Sequence, residues 1–200
     1  VGGKTVGIND GLDTIITRNF VEGGSNVYQG SSHGFSVLST MAAYQPEVFI
    51  GTAPQASYAL IKTEKELSET PEEMMNWIAG AEFADSIGAD IINSSLGYST
   101  FDDPNDDYSV SDLDGRTSII SLGALAAART GMLVVTSAGN AGGSSWDKLT
   151  FPADADSILT VGSVTQYGVA SSFSSRGYTV DGLVKPNVCA RGEEWQQHLT

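Results

Sequence analysis

Two hundred residues with 40% apolar content suffice for one domain with a sizeable core. Ten basic residues stand against twenty-four acidic ones, and the formal net charge of −14 argues against nucleic acid or an anionic membrane surface as partner. No apolar run approaches membrane-spanning length, and the single cysteine, Cys189, rules out an intrachain disulfide and reads as a small buried residue.

The start, Val1-Gly-Gly-Lys4, is not a signal peptide, so any targeting segment has been removed or was not included. Thr5-Val-Gly-Ile-Asn-Asp10-Gly11 reads as a short apolar strand ending in a carboxylate, with Asp13 a rival in poorer register. Ser31-Ser-His33-Gly34-Phe35 leads into Ser36-Val-Leu-Ser-Thr-Met-Ala-Ala43, a predicted buried helix of small and apolar residues. Ser57–Lys62 reads as a strand. Thr70-Pro-Glu-Glu73 then combines a hydroxyl N-cap, proline at the first helical position and glutamate three residues after the cap. Met74, Trp77, Ile78, Ala81, Ala84 and Ile87 follow at helical spacing, and Gly88 ends the run. Glu64, Glu66, Glu69, Glu72 and Glu73 read as a charged surface around this helix start.

Ala89–Asn93 is the next strand, and Ser118–Thr130 an apolar helix closed by Gly131. Met132–Ala138 and Ile158–Val164 are two further strands. Strands alternating with helices predict an α/β fold, a mostly parallel sheet with helices on both faces. No repeat or linker divides the chain.

Three residues in this order suit one chemistry. A carboxylate at a strand end (Asp10) can orient and charge-stabilise an imidazole, and a histidine in the first turn of a helix (His33) is rigid enough to act as general base. Asn140, in Thr136-Ser-Ala-Gly-Asn140-Ala-Gly142, ends an apolar strand among glycines, so its NH₂ can meet a developing oxyanion. Ser94-Ser-Leu-Gly97 leaves a strand with small residues, with room for an extended peptide to pair alongside.

With these stretches go Gly51-Thr-Ala-Pro54, Ile91-Ile-Asn-Ser-Ser-Leu-Gly97, Val161-Gly-Ser-Val164, Ala170-Ser-Ser-Phe-Ser-Ser175 and Lys185-Pro186. Together they resemble a subtilisin-like serine protease, a subtilase, from near residue 4 to about residue 190. The resemblance implies a three-layer, subtilisin-like α/β fold, C-terminally incomplete, with residues 1–192 a partial catalytic domain and 193–200 a tail unlike the family. It implies a serine endopeptidase that hydrolyses peptide bonds outside the cytoplasm, secreted or in the cell envelope, with Asp10, His33 and Asn140 as catalytic residues. It also implies that Ser95, Leu96 and Gly97, with Ala138 and Gly139, bind a polypeptide substrate and wall the pocket for the side chain before the scissile bond. Such pockets generally favour apolar or aromatic side chains.

The sequence departs from the family in three places. Asp10 is followed by Gly11-Leu12 rather than a small hydroxyl residue and glycine, and Phe35 stands where the family has threonine, beside the imidazole. The nucleophile motif Gly-Thr-Ser-x-Ala-x-Pro is absent, and Ser172, Ser174 and Ser175 fall in a segment that is structural in the family. The chain alone is therefore expected to be inactive, its partner a C-terminal fragment carrying the serine. An alternative is an inactive subtilase-like protein that binds peptides. A doubly wound nucleotide-binding fold lacks its Gly-x-Gly-x-x-Gly turn here.

No cofactor is required by this chemistry, and Ca²⁺ is the one the resemblance allows. The six aspartates between Phe101 and Gly115 have no EF-hand spacing, so they read as a solvated acidic loop and no metal ligand is assigned. His198 reads as an exposed residue of the tail.

Overall fold

The structure, a computed structural model, describes residues 15–193. The predicted strand around Asp10, its rival Asp13 and the tail from 194 with His198 lie outside the described residues. The chain divides into two compact units, Val1–Lys62 and Thr63–Thr200.

In the first unit, β1 (Ile15–Asn19) runs parallel to β4 (Tyr58–Lys62), with Thr17 opposite Leu60. The Ile15-Ile-Thr run has the β-branched composition of a strand, a signal not used in the sequence reading. Asn19 then folds the chain back. Its Oδ1 accepts from the Val21 and Glu22 amides at 2.9 and 3.0 Å, and its Nδ2 donates to the Asn26 carbonyl at 2.7 Å. A helix, α1 (His33–Ala42), precedes the short antiparallel pair β2 (Tyr44–Gln45) and β3 (Phe49–Ile50).

The predicted helix starts earlier than expected and is not a buried one: only Ser39 and Ala42 within it are buried. Its C-terminal end is the packed part. The Gly51 amide donates to the Ala43 carbonyl and the Ala53 amide to that of Met41, both at 2.8 Å. A Cβ on Gly51 would lie 2.3 Å from the Met41 carbonyl oxygen, so only glycine lets the two backbones approach so closely.

The second unit is built on a parallel sheet in the order β10-β7-β6-β5: β5 (Ile91–Ser94), β6 (Leu133–Ser137), β7 (Leu159–Val164) and β10 (Val188–Arg191). Parallel neighbours need crossovers, and α3 (Ile119–Arg129) supplies the one from β5 to β6 and packs on β6. Against α3 lies α2 (Pro71–Ser86), whose buried Met74, Trp77, Ala81 and Ala84 recur at the predicted helical spacing. Its Trp77 Nε1 reaches Ser94 Oγ at the end of β5, 3.0 Å away. The small pair β8 (Gly177–Tyr178) and β9 (Val184–Lys185) lies before the edge strand β10.

Two expectations are corrected. Cys189 is exposed, because β10 is an edge strand whose four residues are all exposed. The glutamates around the start of α2 are not all surface charges. Glu73 is 1% exposed, since the Thr70 and Lys65 amides donate to its carboxylate at 3.1 and 2.7 Å and replace its water.

Asp154 and Lys185 are also buried, and no local pattern marks either as a core residue. Asp154, fully buried, accepts from Ser121 Oγ at 2.6 Å and from the Gly115 amide at 2.7 Å. Burial pushes its carboxyl above the usual range, and the two hydrogen bonds oppose that rise. Lys185 Nζ donates to the Ile158 carbonyl, Thr160 Oγ1 and Asn187 Oδ1 at 3.0–3.2 Å. Asp154→Ala leaves two buried donors unmatched at about 1–3 kcal/mol each, so a loss of roughly 3 kcal/mol is expected in urea unfolding.

Candidate functional site

The sequence-predicted residues fall in different parts of the chain. His33 opens α1 in the first unit, exposed, with its amide donating to Ser31 Oγ at 3.2 Å. Phe35, two residues on in the same helix, leaves 56% of its surface exposed. Asp10 lies outside the described residues. The other predicted site residues belong to the second unit.

There β6 runs out at Ser137, Ala138 is buried, and Gly139 takes φ +104°, a conformation that favours glycine. This turn is tied down from both sides. The Ala138 amide donates to the Val161 carbonyl at 2.8 Å, and the Ser175 amide to that of Gly139 at 2.9 Å. Ser175 Oγ accepts from the Ala141 amide at 2.9 Å, and Ser174 Oγ from the Ser163 amide at 2.9 Å. These two buried serines are therefore framework, as their place in the sequence implied. Asn140 follows on this rigid turn, exposed, and no hydrogen bond to its carboxamide occurs among the described residues. It is a donor fixed in place with no partner among the described residues.

Beside it lies a cavity of about 240 Å³. Ser95, Leu96 and Gly97 form one side, and Ser137, Gly139 and Asn140 the other. Of the five substrate-binding residues expected from sequence, these walls include Ser95, Leu96, Gly97 and Gly139, whereas Ala138 supports them from the buried side. Reciprocal backbone hydrogen bonds between Tyr98 and Phe151, 3.0 and 2.9 Å long, clamp the two walls together. Thr150 lies in the gap. A Cβ on Gly97 would come within 2.1 Å of Thr150 Oγ1, and one on Gly139 within 2.5 Å.

Glu64 and Glu69 also line this cavity, which sequence reasoning missed. Glu64 Oε1 accepts from the Tyr98 hydroxyl at 2.6 Å and from Thr63 Oγ1 at 2.7 Å. Burial raises the Glu64 carboxyl, and those hydrogen bonds counter it in part. Tyr98 is likewise raised, by burial first and then by the charge of Glu64. Glu69 is pushed up to about 7, by loss of water first and then by Glu73, Glu64 and Asp102. No signal short of the fold could have revealed this, since Tyr98 is 34 residues from Glu64.

Most aspartates of the 101–115 loop brace the loop itself, whereas Asp102 Oδ2 accepts from the Glu69 amide at 3.1 Å. Asp107 Oδ1 accepts from the Phe101 amide, Asp112 from Ser109, and Asp114 from the Arg116 and Thr117 amides. Among the described residues no three His, Cys, Asp or Glu side chains come together as a metal site.

Two outcomes follow. Gly139→Ala combines a positive φ with a clash at Thr150, and a loss of at least about 1 kcal/mol is expected in chemical unfolding. A carboxyl raised on folding binds its proton more tightly in the native state, so its contribution to stability falls as pH rises. Wild type should therefore lose stability relative to Glu69→Gln from the ordinary glutamate range up to about pH 7, in urea titrations across that window.

Comparison with known proteins agrees with this architecture. The model of the subtilase family (peptidase S8) matches residues 10–200. Subtilisin E of Bacillus subtilis (strain 168) is 35% identical over 174 residues, covering 85% of this chain and 41% of that protein. Subtilisin DY of Bacillus licheniformis is 32% identical over 179 residues, covering 88% and 59%. The chain thus spans less than two thirds of the length of these curated relatives. Among solved structures, the epidermin leader peptide processing serine protease EpiP of Staphylococcus aureus superposes with a TM-score of 0.66 at 22% identity, over 88% of this chain and 46% of that one. MycP1 with its N-terminal propeptide removed gives 0.63 at 20%, over 92% and 60%. These likenesses speak for the fold, which is the expected three-layer, subtilisin-like α/β class with a mostly parallel sheet. With a family match across nearly all its residues and subtilisins above 30% identity over most of its length, this chain belongs to the subtilase family.

Proposed function

We propose that the chain carries the greater part of a serine endopeptidase site, with residues 1–192 part of one catalytic domain acting outside the cytoplasm, secreted or in the cell envelope. The observation that supports this best is Asn140: an exposed carboxamide with no partner among the described residues, held on a pinned turn beside a side-chain-sized cavity. A polypeptide substrate lies along Ser95–Gly97 as an added strand.

The reaction is acyl transfer to water. His33 takes the proton of a serine hydroxyl as that oxygen attacks the peptide carbonyl, and returns it to the leaving amine. Asp10 holds the imidazole tautomer and stabilises the imidazolium. Asn140 donates to the tetrahedral oxyanion, where a preorganised donor acts only once charge has developed. The nucleophile comes from outside these 200 residues, because none of their serines stands in the family's motif.

The test is labelling with a fluorophosphonate probe, on the protein that includes the serine segment or on this chain mixed with that segment. Labelling that disappears with His33→Ala is the expected result. Asn140→Ala should lower kcat about 10²–10³-fold, the effect of removing one such donor in subtilisin. Absence of labelling in every combination, with peptide binding retained, would favour the reading as a non-catalytic peptide binder.

A further inference from the structure

The cavity beside Asn140 is lined by two carboxyl groups, Glu64 and Glu69, and among the described residues neither takes part in an ion pair. Glu73 lies close enough to raise both carboxyls, and Asp102 adds to the field at Glu69. Glu73 is fully engaged by two backbone amides. Both hydrogen bonds to Glu64 fall on Oε1. The Glu69 carboxylate has no hydrogen bond or ion pair among the described residues.

A second observation points to a ligand independently of the acids. Thr150 is 7% exposed, and its Oγ1 is a buried hydroxyl with no hydrogen-bond partner among the described residues. It lines the same cavity, in the notch that Gly97 and Gly139 leave open. Buried polar atoms are nearly always paired, so an orphan in a pocket wall marks a partner that arrives with something else.

We propose that this cavity receives a lysine or arginine side chain of the peptide substrate, with Glu64 and Glu69 facing its charge and Thr150 Oγ1 completing its hydrogen bonds. An apolar side chain would strip more water from carboxylates already short of it, and an acidic one would add repulsion. A cation reverses both effects. At about 240 Å³ the space suits one long side chain rather than a drug-sized molecule, whose sites run to about 300–1,000 Å³. Among the described residues no three ligating side chains converge on a point, so the cation that fits brings its own stem. The raised Glu69 carboxyl is what a site awaiting a positive charge shows when empty. The net charge of −14 favours approach of basic peptides as well. This departs from the apolar preference that the family resemblance implied.

The inference rests on the peptide-binding reading above, and one experiment separates the two. Peptides identical except for Arg, Lys, Phe or Glu at the side chain before the scissile bond are titrated against the full-length protein by fluorescence anisotropy. Arg and Lys peptides are expected to bind at least tenfold more tightly than the Phe peptide, and Glu69→Gln to lower that ratio at least fivefold. Thr150→Val should weaken the Arg and Lys peptides without lowering the urea midpoint, since the hydroxyl it removes has no hydrogen-bond partner among the described residues. Equal or tighter binding of the Phe peptide overturns the cationic pocket and leaves the peptide site standing. If no peptide binds, both readings fall.

Discussion

The reciprocal amides of Tyr98 and Phe151 hold together two loops that the chain makes far apart. One leaves β5 and the other returns toward β7, and neither has a regular element at this point. Their pairing brings Gly97 against Thr150, sets Tyr98 beneath Glu64, and seats Phe151 in the core with no exposed surface. Tyr108 packs on Phe151 with ring centroids 4.5 Å apart, and Phe101 on Tyr108 at 5.9 Å, so the clasp is backed by aromatic packing. A cavity wall made of loop residues is thereby as fixed as one made of strand.

The same economy runs through the polar groups of the second unit. Glu73, Asp154 and Lys185 each lose their water on folding and recover hydrogen bonds from backbone or hydroxyl groups. Such groups join segments that do not otherwise pair: Glu73 ties the approach of α2 to its first turn, and Asp154 ties the loop before α3 to α3 itself. Glu69 differs because, among the described residues, no hydrogen bond or ion pair performs that service for its carboxylate. The contrast between satisfied acids and an unsatisfied one within a few residues makes the cavity chemically distinct from the framework around it.

How much was legible beforehand depended on the range of each signal. The α2 start was readable because proline and glutamate act within four residues, and β6 because an apolar run meets a glycine-bearing turn. Asn140 stood out for the same local reason. Strands β8 to β10 are two to four residues long and carry no period, and β10 lies at an edge, so the burial expected for Cys189 failed. The acids around the cavity were misread as surface because Lys65, Glu66 and Glu72 surround them in sequence. Only Tyr98, brought in by the fold, shows which of them lose water. The roles proposed for Asp10 and His33 rest on motif order, within a resemblance that runs from near residue 4 to about residue 190, and on no single contact.

Gly97, Gly139 and Thr150 occupy one small volume in which each fills what the others vacate. None of the three can gain an atom unless another gives one up. Among relatives, or in deliberate redesign, positions 97 and 150 are therefore coupled: a methyl group at 97 becomes tolerable only when residue 150 shrinks to alanine or glycine, while position 139 is held to glycine by its φ as well. The selectivity of this corner can drift only by compensated steps, which makes it slow to change even where the surrounding loops vary freely.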